Sequence, residues 1–206
     1  MMMKYYLFDM DGLLLDTEWA WEEAIVIEFD QLVPSFDRSF FDHISGKGIF
    51  DITKEFVEDH QLNHSFIELG ESVIDKVIEL FVSKPKCMNG AKEFVQKAKM
   101  EGNITCLVSS SPRRVIDAFI SKTGMDDLFG MITGGDEVEK VKPDPSIYLK
   151  AVDKLGVNKS NIVVYEDSIP GVLAAKAAGL LTVKVNAKQT FDAGQDESYQ
   201  SFIDLL

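Results

Sequence analysis

The sequence predicts an α/β fold, a parallel sheet with helices on both faces, broken after its first strand by an inserted all-helical cap domain. Three observations predict it. Residues 4–8 form a lone apolar run. Residues 17–84 keep helical spacing of apolar and charged positions and offer no strand. From 89 onward, short apolar runs alternate with amphipathic stretches, the pattern of βαβ units. The α/β core domain is therefore assigned residues 1–16 and 85–206, and the cap domain residues 17–84.

The elements follow in order. Residues 4–8 read as a short buried strand ending at Asp9. Helical patterning begins near Thr17, continues through 36–43 and 49–60, and is interrupted by Ser45-Gly46-Lys47-Gly48. Residues 65–82 carry Phe66, Leu69, Val73, Val77 and Leu80 along one side of a long helix, which Lys84-Pro85 breaks. A helix at 89–100 precedes a buried strand at 103–108, and Pro112 suits the first turn of the next helix. Residues 129–133 form a third strand, 145–155 a helix, and 161–165 the clearest strand of all. An Ala-rich helix at 171–178 ends at Gly179, and 180–185 is a further strand. The tail 192–206 is polar before its last five residues and takes no assignment.

Bulk properties exclude several classes. With 206 residues and 46% hydrophobic content, the chain builds a real core. A formal net charge of −13 argues against nucleic acid and anionic membrane as partners. It also means that an anionic substrate needs local positive charge. Cys87 and Cys106 stand apart, with no zinc or haem spacing, which suits a cytoplasmic protein. No apolar run approaches membrane-spanning length, and the start is too short for a signal peptide. The expected assembly is a monomer or weak dimer.

Ligands of an open parallel sheet bind beyond the carboxyl ends of its strands. The chemistry-bearing residues fall there. Asp9 and Asp11 follow the first strand, Ser109 and Ser110 the second, Lys142-Pro143-Asp144-Pro145 the third, and Glu166-Asp167-Ser168 the fourth. Two neighbouring carboxylates repel, so a proton or a metal must offset them. Oxygen-rich Asp9 and Asp167 suit Mg²⁺. A helix start with Ser109 and Ser110 offers N–H groups and a hydroxyl to phosphate, and Lys142 offers positive charge. Each segment alone also reads as ordinary structure: a turn, a helix N-cap, a solvated loop, and an acidic pair at a helix start. Their joint order at one sheet edge favours phosphoryl transfer.

In that order, and across essentially the whole chain, Asp9-Met10-Asp11-Gly12-Leu13-Leu14-Leu15-Asp16-Thr17-Glu18, Ser109, Lys142-Pro143-Asp144-Pro145 and Glu166-Asp167-Ser168 resemble the haloacid dehalogenase-like hydrolase superfamily. The helical block resembles the small cap of the subgroup holding β-phosphoglucomutase and many sugar-phosphate phosphatases. The resemblance implies a Rossmann-like core and a role for each residue. Asp9 is the nucleophile that forms an aspartyl-phosphate. Asp11 protonates the leaving oxygen and then activates water. Ser109 holds the phosphate and Lys142 neutralises it. Mg²⁺ is held by Asp9, the backbone carbonyl of Asp11, and Asp167, with Glu166 assisting.

In the cap, Lys47 is a candidate to reach the substrate and equally a solvated loop lysine. Arg113 reads either as a substrate contact or as a solvent-facing residue. His43 and Trp21 read as packing or surface residues. Similar mutases carry a histidine two residues after the glutamate of the first motif, where Glu18-Trp19 is followed here by Ala20. The expected function is therefore Mg²⁺-dependent hydrolysis of a small phosphorylated metabolite, a sugar phosphate above all. The alternatives are a phosphomutase, and a non-catalytic phosphate- or partner-binding protein on the same fold. The cap is expected to open and close on hinges near Asp16-Thr17 and Lys84-Pro85.

Overall fold

A computed structural model of the chain describes residues 3–41, 47–186 and 191–206. A six-stranded parallel sheet forms its centre, in the order β3-β2-β1-β4-β5-β6. The strands are β1 Tyr5–Phe8, β2 Ile104–Val108, β3 Met131–Thr133, β4 Ile162–Glu166, β5 Leu181–Val185 and β6 Glu197–Tyr199. β1 lies between β2 and β4, with Tyr5 in register with both Ile104 and Ile162. The helices are α1 Glu18–Leu32, α2 Ile49–Asp59, α3 Phe66–Ser83, α4 Ala91–Met100, α5 Arg113–Thr123, α6 Ser146–Leu155 and α7 Ile169–Ala177.

Strand side chains alternate between the two faces. Leu7 packs with Ile147 and Ala151 of α6 and Ala174 and Ala175 of α7. Tyr6 and Phe8 point the other way, into a cluster with Phe94 of α4 and Val115 and Phe119 of α5. Both faces are thus covered, as a parallel sheet requires.

The segment between β1 and β2 is helical, as its periodicity predicts. α1, α2 and the turn near residue 38 close around Phe29, Phe36, Phe40 and Phe56, with the rings of Phe29 and Phe56 3.8 Å apart. Ser72 of α3 donates to Glu28 of α1 at 2.6 Å. Toward the sheet, Phe81 of α3 packs on Phe119 of α5 with ring centroids 4.1 Å apart. The two chain crossings lie side by side. Leu15 bridges antiparallel to Cys87, the Asp16 N–H donates to the Lys86 carbonyl, and the Lys86 ammonium meets Asp16 at 2.6 Å.

Three expectations are corrected. Of the helix expected at 36–43, the described part is a 3₁₀ turn, Arg38–Phe40, whose start Asp37 caps by accepting from the Ser39 N–H. The helix expected at 171–178 begins earlier, because Ser168 caps it and Pro170 fits its first turn. The unassigned tail is part of the core. It supplies β6, paired with β5, and buries Phe202 against Phe94 at 5.2 Å. Among the described residues, no helix is long and apolar enough to cross a membrane.

Candidate active site

The strand order decides which polar residues meet. β1 is flanked by β2 and β4, so Asp9 emerges between the ends of those two strands. Its N–H donates to the Tyr165 carbonyl at 3.1 Å, which holds it in line with the sheet. Glu166 is the last residue of β4 rather than a residue beyond it, and Asp167 follows. After Asp11 the chain reverses at Gly12, whose φ is +79°. A side chain there would be strained, and its Cβ would fall 2.4 Å from Asp167 Oδ2. The glycine therefore lets the loop pass directly beside the Asp167 carboxylate.

Asp9, Glu166 and Asp167 are buried, with carboxylate oxygens within 4.8 Å of one another. Lys142 enters among them. Its ammonium ion-pairs with Asp9, lies 2.7 Å from Glu166, and donates to the Val108 carbonyl at 3.0 Å. The Lys142–Pro143 peptide of its loop is cis. Tyr148 of α6 donates to Glu166 at 2.5 Å. Gly171 of α7 packs against the same carboxylate, since a Cβ there would lie 2.0 Å from its carboxyl carbon.

One ammonium does not balance three buried carboxylates. Burial pushes the Asp9 carboxyl up to about 8, with Glu166 and Asp11 adding repulsion and Lys142 opposing them. Burial, then Asp9 and Glu166, likewise raises Asp167 well above the carboxylate range. Burial alone would lower the Lys142 ammonium, but Asp9 and Glu166 hold it above its ordinary value. Oδ1 of Asp167 is buried with no hydrogen-bond partner. An all-oxygen acceptor set with an orphaned acceptor fits a hard divalent cation, which Asp9, Glu166 and Asp167 could hold.

Asp11 has a separate set of partners. Thr17 and Trp21 donate to its Oδ1 at 2.7 and 3.2 Å, and Ser109 and Ser111 to its Oδ2 at 3.1 and 2.7 Å. Its side chain is thus outside the group formed by the other three acids. Ser109 is fully buried and also accepts from the Ser111 N–H at 3.0 Å, at the entrance to α5. Ser110 is partly exposed and lines a cavity of about 340 Å³ beside Asp11.

Lys47 lines the same cavity and is ion-paired with Glu55 of α2. Arg113 is turned to Asp117 on its own helix, Nε to Oδ1 at 2.8 Å, so the structure does not bring it to the cavity. His43 lies outside the described residues. Sequence reasoning gave Thr17 and Ser111 no role at Asp11 and read Trp21 as a packing or surface residue, whereas all three donate to Asp11. Ala20, the residue on which the sequence comparison with mutases rested, is fully buried in the core. Trp21, one residue on, faces Asp11 and the cavity. A second cavity, of about 280 Å³, adjoins Gly12, Asp167 and Asn186, and Glu18 lines both.

Residues 6–185 match the family described as haloacid dehalogenase-like hydrolase. The bifunctional riboflavin kinase/FMN phosphatase of Arabidopsis thaliana is 31% identical over 210 residues, covering 97% of this chain and 53% of that protein. The chain thus spans about half the length of that relative. Hexitol phosphatase B of Escherichia coli is 30% identical over 185 residues, covering 89% of this chain and 83% of that one. A mutant of CbbY from Rhodobacter sphaeroides, solved in complex with xylulose-1,5-bisphosphate, superposes with a TM-score of 0.89 at 25% identity, covering 99% of this chain and 96% of that one.

Proposed function

The chain belongs to the haloacid dehalogenase-like hydrolase family, and we propose that it is a Mg²⁺-dependent phosphatase acting on a small phosphorylated metabolite, with sugar phosphates as the leading class. The observation that carries the reading is the separation of the two aspartates. Asp9 is held by Lys142 among the buried acids, while Asp11 is held by Thr17, Trp21, Ser109 and Ser111. Groups in different surroundings can take different roles. The named activities of the relatives support the same class of reaction.

In this reading a carboxylate oxygen of Asp9 attacks phosphorus as the ester P–O bond breaks. Asp11 gives its proton to the departing oxygen. Water then attacks the aspartyl-phosphate, Asp11 takes the proton, and phosphate leaves with Asp9 restored. Lys142 and the Ser109 region offset the charge of the transferring group. Mg²⁺, held by Asp9, Asp167 and the Asp11 carbonyl with Glu166 assisting, would supply further charge neutralisation. Residues 17–84 would act as the cap over a core of 1–16 and 85–206, with the paired crossings at Asp16 and Lys86 as hinges. Lys47 would approach the substrate from the cap side.

Phosphate release from an aryl phosphate, a hexitol phosphate and flavin mononucleotide, with and without Mg²⁺, tests the reading. Asp9→Asn is expected to cut release by about 10³-fold or more. Conversion of β-glucose 1-phosphate to glucose 6-phosphate, primed by a bisphosphate and faster than phosphate release, would establish a mutase instead. No release from any monoester would favour a binding protein.

A further inference from the structure

We propose that Asn186 is a positioning residue for the metal site, which fixes the backbone of Asp167 and so presents that carboxylate to Mg²⁺. The inference rests on the metal assignment of the proposed function and extends it to a residue outside the acidic cluster.

Asn186 is the first residue beyond β5, as Asp9, Ser109 and Asp167 are the first beyond β1, β2 and β4. It therefore stands at the same edge of the sheet. Its side-chain Nδ2 donates to the Asp167 carbonyl at 2.7 Å, and its backbone N–H donates to the Tyr199 carbonyl at 3.1 Å. A carbonyl only accepts, so the amide nitrogen is the end that faces Asp167. A support thus runs from β6 through Asn186 to the turn between β4 and α7.

Asp167 is 6% exposed, so its backbone groups need partners within the protein. Its N–H donates to Glu166 Oε2 at 3.2 Å, and Asn186 takes its carbonyl. On the next residue, the Ser168 hydroxyl accepts from the Gly171 N–H and commits the chain to α7. Oδ1 of Asp167 is buried with no hydrogen-bond partner. The peptide groups on both sides of Asp167 are therefore held, while an oxygen of its head is left for a ligand. Removing the Asn186 amide would hand the carbonyl to water in the second cavity, which Asn186 also lines, and would free this turn to rotate. Metal sites tolerate errors of about 0.2 Å in ligand distance. Groups that hold a ligand from behind typically change metal affinity about 10–100-fold when they are removed.

The test measures Mg²⁺ binding to the full chain by titration calorimetry, alongside melting without metal. Asn186→Ala removes the donor and is expected to weaken Mg²⁺ binding about tenfold. The Mg²⁺ concentration that half-saturates phosphate release from an aryl phosphate should rise by the same factor. Asn186→Ser is a smaller change in packing, and its hydroxyl is one bond too short to reach the carbonyl. It is expected to behave alike, and it carries the test should the alanine variant not fold. A purely structural role would lower the metal-free melting temperature and leave the Mg²⁺ affinity of the folded protein unchanged, a result that would overturn the proposal. Failure of the wild-type chain to bind Mg²⁺ at all would be a different outcome, since it would remove the metal assignment on which the inference rests.

Discussion

The indole N–H of Trp21 donates to Asp11 Oδ1 at 3.2 Å, and the Thr17 hydroxyl shares that oxygen at 2.7 Å. Helix α1 thereby orients the acid that the proposed mechanism needs at the leaving oxygen. Trp21→Phe keeps an aromatic side chain, though a smaller one, and removes the donor. A hydrogen bond contributes about 0.5–1.5 kcal/mol net, so loss of this orienting contact is expected to lower kcat with an alkyl phosphate about threefold to tenfold. An aryl phosphate, whose leaving group needs little protonation, should lose less. Equal losses on both esters would mean that Trp21 serves packing rather than Asp11.

Metal and pH are expected to act together on stability. The Asp9 carboxyl rises from 3.8 to about 8 through burial and its acidic neighbours. The folded protein thus binds this proton more tightly than the unfolded chain. Its contribution is fully present below about 3.8 and is lost as pH rises through about 8. Without metal, the melting temperature should decline toward the upper end of that window. Mg²⁺ should raise it most at high pH, where the carboxylates are free to ligate. Melting curves with EDTA and with Mg²⁺ check this. A metal effect equal at both ends would contradict it.

Gly171→Ala places a methyl group against the Glu166 carboxyl, whose carbon is 2.0 Å from the ideal Cβ position. Glu166 must move, and with it the contacts to Lys142 and Tyr148. Overpacking of this kind costs about 1–3 kcal/mol, and phosphatase activity should fall more than stability explains. Denaturant titration alongside phosphate release separates the two effects. Wild-type activity in a destabilised variant would show that Glu166 is not needed where it stands.

Phe202→Ala tests the tail. The ring is buried, 5.2 Å from Phe94 and 6.3 Å from Phe8. Its removal should cost about 3–5 kcal/mol and lower the melting temperature, with the substrate preference of the remaining folded protein unchanged. A change near zero would show that the tail does not pack in solution.

The sheet and the placing of Asp9, Ser109, Glu166 and Asp167 were legible because each lies at or just after the end of an apolar run too short for a helix, whereas Lys142 comes from the longer loop that follows β3. Parallel sheets bring such ends to one edge. The rest depended on angles that spacing does not set. Three consecutive serines are chemically equivalent, and the turn into α5 alone decides that Ser109 and Ser111 reach Asp11 while Ser110 lines the cavity. Whether Ala20 or Trp21 faces the site depends on the rotation of α1 about its axis. Arg113 is diverted by Asp117, an i,i+4 partner visible in the sequence that offered a competing destination. The tail was unreadable because β6 has only three residues and its pairing comes from β5, not from its own pattern.

β1 pairs on one side with a strand beginning at Ile104 and on the other with one beginning at Ile162. During synthesis its first residues are therefore made long before either neighbour exists. Asp9 waits on the ribosome without Lys142, Glu166 or Asp167, and no fragment ending ahead of β4 can assemble the acidic cluster. Premature termination between Asp11 and Ile162 would yield a chain that carries the proposed nucleophile yet lacks Glu166 and Asp167, the acids that surround it.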